Sequence, residues 1–126
     1  MKALLTCLGI VIFCAALLWG LFAVSWQEES RGASPDGKYV ATWSVPSWAR
    51  FIPSSPGSSG DRPCRVEIFD NAGRSRGRVP VEMLQLAGLE WRPGGAEIES
   101  VAEWDFTAGT CYYWSADGNR KIYVKR

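Results

Sequence analysis

The stretch "SPDGKYVATWSV", Ser34 to Val45, is a tight turn feeding a strand, and its reading decides the fold. Proline at the second position of the turn presets φ, Asp36 tolerates the third, and Gly37 supplies a permissive fourth. Behind the turn, Tyr39, Ala41, Trp43 and Val45 alternate with Lys38, Val40, Thr42 and Ser44. That period of two is the mark of a strand with one buried face. Such a turn opens either a simple hairpin or one blade of a larger ring, and the rest of the chain distinguishes them.

The same punctuation recurs downstream. "CRVEIFD" (Cys64–Asp70) alternates, "NAGR" (Asn71–Arg74) turns the chain, and "SRGRVPV" (Ser75–Val81) can pair back. "GLEWRPGGAEIESVAEWD" (Gly88–Asp105) reads as a hairpin turning at Pro93-Gly94-Gly95, and "TCYYWSADGNRKIYVKR" (Thr110–Arg126) as another turning at Asp117-Gly118. Between the first two strands, "PSWARFIPSSPGSSGDRP" (Pro46–Pro63) carries four prolines and cannot be a strand interior. "PVEMLQLAG" (Pro80–Gly88) fits either one or two helical turns or a strand edge. Turn signals every dozen residues and no long 3.6-residue period predict a small antiparallel β-sheet or sandwich of about seven or eight short strands.

Aligned by their turns, these segments form two rough repeats, with Cys64 and Cys111 each opening the third strand of its unit. The pattern resembles the blade repeat of TolB-like and WD-type β-propellers, in which S-P-D-G-[KR] precedes an aromatic or aliphatic strand. The second unit departs from it, carrying Arg92-Pro93-Gly94-Gly95 without the aspartate. Propellers need about four blades of some 40 residues, so two units cannot close a ring. In layout the chain is also similar to small bacterial signal-anchored proteins in which "SPDGKY" follows one membrane helix and opens a compact β-domain. That resemblance implies a location and no activity. The opening stretch therefore announces a hairpin.

Ahead of the β-region lies "ALLTCLGIVIFCAALLWGLFAVSW", Ala3 to Trp26, without charge or proline. It supplies the roughly 20 apolar residues that cross a hydrocarbon core as a helix. Lys2 precedes it and Glu28 and Glu29 follow, so the positive-inside rule puts the N-terminus in the cytoplasm. Trp19 and Trp26 suit an interfacial aromatic belt. The run exceeds the apolar core of a cleaved signal peptide, about 7–15 residues, although "AVS" (Ala23–Ser25) offers small residues for cleavage. Lipidation is disfavoured, because Phe13 precedes Cys14 and Cys7 lies too early. The expected organisation is an anchor over 1–26, a polar tether over 27–33 and an extracytoplasmic β-domain over 34–126.

The chain has 126 residues, 14 basic and 13 acidic, and no histidine. Those 14 basic residues less Lys2 leave 13 against 13, a balance that offers nucleic acid no attractive field. The missing histidine removes Ser-His-Asp and Cys-His nucleophile pairs, together with the commonest general base and zinc ligand. No cofactor motif is present, and no calcium-loop spacing. Cys64 and Cys111 are the cysteines outside the apolar run. They fit either a bridge, stabilising by roughly 4 kcal/mol in the loop-entropy account, or two reduced buried thiols.

Three groups are candidate sites. On one strand, Glu97, Glu99, Glu103 and Asp105 would share a face, a carboxylate set able to serve acid–base glycan chemistry or simply a solvated face. Arg74, Arg76 and Arg78 alternate near a turn, placed to meet an acidic partner or lipid phosphate, or to guard an edge strand. Trp48, Phe51 and Ile52 stand in the proline-rich loop, either as a contact surface or as a cap on the core. The expectation is a membrane-anchored, non-catalytic binding or assembly module contacting another envelope protein. The alternatives are a carboxylate-dependent glycan-acting enzyme and a purely structural module.

Overall fold

A computed structural model describes residues 1–51, 61–114, 118 and 120–124, with side chains described outside 120–124. Helix α1 (Lys2–Val24) is apolar all round, and none of its residues is buried. Its 23 residues rise about 35 Å, enough to span a membrane. The helix stops at Ser25, whose backbone is extended (φ −77°, ψ 147°) and whose hydroxyl donates to the Phe22 carbonyl at 2.9 Å.

Nine strands follow among the described residues. The first sheet comprises β1 (Trp26–Ala33), β2 (Tyr39–Pro46), β3 (Cys64–Asp70) and β4 (Ser75–Val81), in that spatial order. The second comprises β5 (Leu89–Arg92), β6 (Gly95–Ile98), β7 (Ala102–Asp105), β8 (Thr110–Trp114) and β9 (Arg120–Val124), again in order. All pairings are antiparallel. The mainly β fold behind one apolar helix is as expected, and the two sheets do not close into a ring.

Two expectations change. Residues 27–33 are not a tether but most of β1, which pairs with β2 from Trp26↔Pro46 to Ala33↔Val40. The polar composition that suggested a tether reflects an edge strand exposed along almost its whole length, where charge discourages further pairing. "EIESVAEWD" is not one strand, because Val101 N–H bonds back to the Ile98 carbonyl and Ser100 takes a positive φ of 58°. The turn thus separates β6 from β7. "PVEMLQLAG" divides as well: β4 runs to Val81, and a single 3-10 turn covers Leu84–Leu86.

The opening turn is built as its sequence suggested. Gly37 N–H donates to the Ser34 carbonyl at 2.9 Å with φ +70°, and Ser34 N–H bonds to Tyr39 across the hairpin. Asp36 accepts the Ser34 hydroxyl at 2.6 Å and the Lys38 amide at 3.1 Å. The Ser34 bond first and the Lys38 amide second hold its carboxyl below the ordinary aspartate range.

The core lies between the sheets. Ala41, Val45, Val66, Ile68 and Val79 face inward from the first sheet, and Ile98, Trp104 and Cys111 from the second. Trp104 is the largest fully buried side chain, and its indole N–H donates to the Gly77 carbonyl at 3.3 Å. Gly77 sits at a bulge where β4 gains Arg76 against β3, with φ +138°. A Cβ there would lie 2.6 Å from Cys111 Cβ, so the missing side chain is what lets the sheets close at this point. At one end of the sandwich Tyr39 stacks on Phe106 with ring centroids 3.8 Å apart. Trp43 crosses to the segment after the Leu84–Leu86 turn, donating to the Ala87 carbonyl at 2.8 Å.

Candidate functional site

The two cysteines are not bridged. Cys64 sits on β3 opposite Val81, whereas Cys111 sits on β8 against Gly77, four residues further back along β4 from Val81. Four residues of strand span roughly 13 Å, well beyond the reach of a disulfide. Both are buried free thiols, Cys64 opening β3 and Cys111 second in β8, each an inward-facing small hydrophobe. Burial pushes the Cys64 thiol up to about 11 and the Cys111 thiol up to about 12. In a variant lacking Cys7 and Cys14, Ellman's reagent is therefore expected to find no reactive thiol in the folded chain and two after unfolding without reductant. A bridged pair would give none in either state.

The arginines are engaged on their own hairpin. Asp70 ends β3 and accepts the Ala72 and Arg74 amides at 2.9 and 3.0 Å, fixing the turn. The Arg74 amide foremost, with the Ala72 amide and the Arg74 guanidinium, holds the Asp70 carboxyl below the usual range against a smaller cost of burial. Arg74 and Arg76 both pair with this carboxylate, at 3.0 and 3.1 Å. Arg78 pairs with Glu67 at 3.0 Å, and Glu67 also accepts the Ser75 hydroxyl at 2.6 Å. The bulge explains that last contact: skipping Arg76 places Ser75 opposite Phe69, on the outer face with Glu67. β4 is the last strand of its sheet in spatial order, so the arginine row marks a sheet edge.

The acidic group is regrouped rather than preserved. Glu97 stands opposite Glu103 on the β6–β7 ladder and opposite Glu90 on the β5–β6 ladder. Three carboxylates thus form a row across neighbouring strands, a repulsive arrangement. Arg92 relieves it by pairing with Glu97. Glu90 was missed in the sequence because it lies outside the alternating run and enters only through strand pairing. Glu99 falls in the turn before Ser100 and leaves the row. Asp105 has a local task, accepting the Thr107 and Ala108 amides at 2.9 Å each. Glu97 and Glu103 border a shallow cleft of about 350 Å³ with Tyr112, Tyr113 and Trp114.

The aromatic loop residues are built against the N-terminal apolar helix. Ser47–Phe51 forms a 3-10 turn after β2, burying Ser47 and Ala49. With three residues per turn, Trp48 and Phe51 emerge on the same side. They line an apolar groove with Ala15, Leu18, Trp19 and Phe22, and the Phe51 ring meets Phe22 edge-on at 5.4 Å. Ile52 lies outside the described residues. Two hydrogen bonds fasten the turn to the end of the helix: Ser47 N–H donates to the Ser25 carbonyl at 3.0 Å, and the two serine hydroxyls meet at 2.6 Å. Nearby, Glu29 pairs with Arg50 at 3.0 Å and Arg62 at 3.4 Å, and the Arg65 guanidinium lies 4.5 Å above the Trp26 ring. Sequence could not reveal this arrangement, because Ser25 and Ser47 are small polar residues with no motif linking them.

Among the described residues, no group of three or more carboxylate or cysteine side chains is placed to hold a metal ion. Comparison with known proteins returns no matching family model, no matching curated protein and no matching solved structure.

Proposed function

We propose that the chain is a membrane-anchored, extracytoplasmic, non-catalytic module that binds or assembles with another envelope protein. One observation carries this reading: a single residue, Ser25, joins α1 to β1, and its partner Ser47 ties a second segment to the same point. A domain joined so tightly keeps one orientation above the membrane. Fixed orientation serves a partner that approaches in the plane of the bilayer, since each encounter then presents the same face and less freedom is lost on association. The paired arginines of the β4 edge are an ordered, charged surface for such a contact.

The test is recovery of the tagged full-length protein from its native membrane in gentle detergent, read by mass spectrometry. One envelope protein is expected in near-equal amount, and a flexible glycine-serine insertion between Ser25 and Trp26 is expected to reduce its recovery. A clean preparation without a companion would overturn the reading. A second reading, carboxylate-dependent action on glycans, has in its favour the cleft where Glu97 faces Glu103 beside Tyr112 and Trp114. Under that reading Glu103→Gln abolishes hydrolysis, while under the first it leaves partner recovery intact.

A further inference from the structure

The β-domain has two distinguishable ends. At one, the turns Ser34–Gly37 and Arg92–Gly94 come together with Tyr39 and Phe106. At the other, Trp26, Cys64 and Val81 of the first sheet meet Val101 and Trp114 of the second. This second end adjoins the helix, because Trp26 follows Ser25 directly.

After α1, six large apolar side chains are exposed among the described residues: Trp26, Trp48, Phe51, Met83, Leu86 and Trp114. All six belong to the helix-proximal end. Trp26 opens β1 and Trp114 closes β8, while Trp48 and Phe51 lie in the turn after β2. Met83 precedes the turn after β4 and Leu86 ends it. The distant end carries the turns Ser34–Gly37, Asp70–Gly73 and Arg92–Gly94, with no exposed large apolar side chain among the described residues. Phe51 is the most exposed of the six at 74%, and it already touches Phe22 of the helix. Scattered apolar residues need no explanation, but confinement of all six to one end does.

We infer that this end of the β-domain rests in the lipid interface of the same membrane that α1 spans, with Trp48 and Phe51 as its deepest foot. The inference rests on the membrane-anchor reading. Its chief support is continuity: the groove walled by Ala15, Leu18, Trp19 and Phe22 runs unbroken from the helix surface onto Trp48 and Phe51. If those helix residues lie in lipid, a ring packed against Phe22 lies at the same depth. Tryptophan and phenylalanine are suited to that depth, where apolar rings meet acyl chains and polar groups stay near water. Arg50 keeps its charge just outside, paired with Glu29.

The experiment uses the full-length chain with Cys7 and Cys14 replaced by alanine, reconstituted into phosphatidylcholine vesicles containing acyl-brominated lipid. An environment-sensitive nitrobenzoxadiazole label is attached singly at Phe51→Cys, Leu86→Cys, Ala72→Cys at the Asp70–Gly73 turn, or Ile12→Cys in mid-helix. Labels at 12, 51 and 86 are expected to be quenched by the brominated chains several-fold more than the label at 72. Quenching at 12 with labels at 51 and 86 no more quenched than at 72 would overturn the inference while leaving the anchor intact. Failure to quench at 12 would overturn the anchor reading and this inference with it. If 51 and 86 are shielded from aqueous iodide yet untouched by brominated lipid, a protein surface covers them, and the lipid assignment is wrong.

Discussion

Trp104→Ala is expected to destabilise the β-domain by about 3–5 kcal/mol, the largest loss expected from any single truncation. Trp104 is the biggest side chain that the two sheets bury completely. Removing it leaves a void at their contact and also strips the Gly77 carbonyl of its indole donor. The two effects separate experimentally. Trp104→Phe retains much of the volume but cannot donate, and an unsatisfied buried carbonyl costs about 1–3 kcal/mol. Urea unfolding of the full-length chain in detergent, followed by far-ultraviolet circular dichroism, reads both. A Trp104→Ala variant within about 1 kcal/mol of the parent would mean that the sheets are not held together there, given the usual cost of such truncations.

Gly77→Ala is expected to cost a comparable amount for a different reason, about 2–5 kcal/mol from overpacking and backbone strain together. The added methyl would meet Cys111 Cβ at 2.6 Å and both Cys111 Sγ and the Trp104 indole nitrogen at 3.0 Å. The backbone at φ +138° is in addition one that side chains rarely adopt. Relief by mutating the neighbour is limited, because Cys111→Ala removes the sulfur and leaves the offending Cβ. Gly73→Ala is the control. It also has positive φ, at 75°, but nothing lies within 4 Å, so only about 1–2 kcal/mol of left-handed strain is expected. Equal losses at the two glycines would show that close approach of the sheets plays no part.

The inward faces were legible because a strand with one buried side writes a period of two into its sequence. Ala41 and Val45, and Val66 and Ile68, lie inside as their alternation implied. The hairpin turns were legible because aspartate, glycine and proline have local reasons to be there. What depended on pairing between distant strands was not legible. Residues 27–33 look like a tether because an exposed edge strand has no apolar face to advertise. The acidic run looked like one strand because Ser100 carries no obvious turn signal, although it takes a positive φ. The equivalent placing of Cys64 and Cys111 in two repeats invited a bridge. Equivalent positions in successive sheets instead left them at different levels of one core. The fate of Trp48 and Phe51 hinged on where the helix ends in space, which no local pattern records.

The order of the strands has a consequence for how the chain is made. Each strand hydrogen-bonds to the next one along the sequence, in both sheets. No β1–β4 strand waits for a partner from the later half of the chain, so the first sheet can zip up while the second is still being made. Such sequence-local pairing favours rapid assembly. Until Trp104 arrives, however, Ile68, Val66 and Val79 face outward on a half-finished surface. The second sheet must therefore dock promptly, or that apolar surface stays open to neighbouring chains.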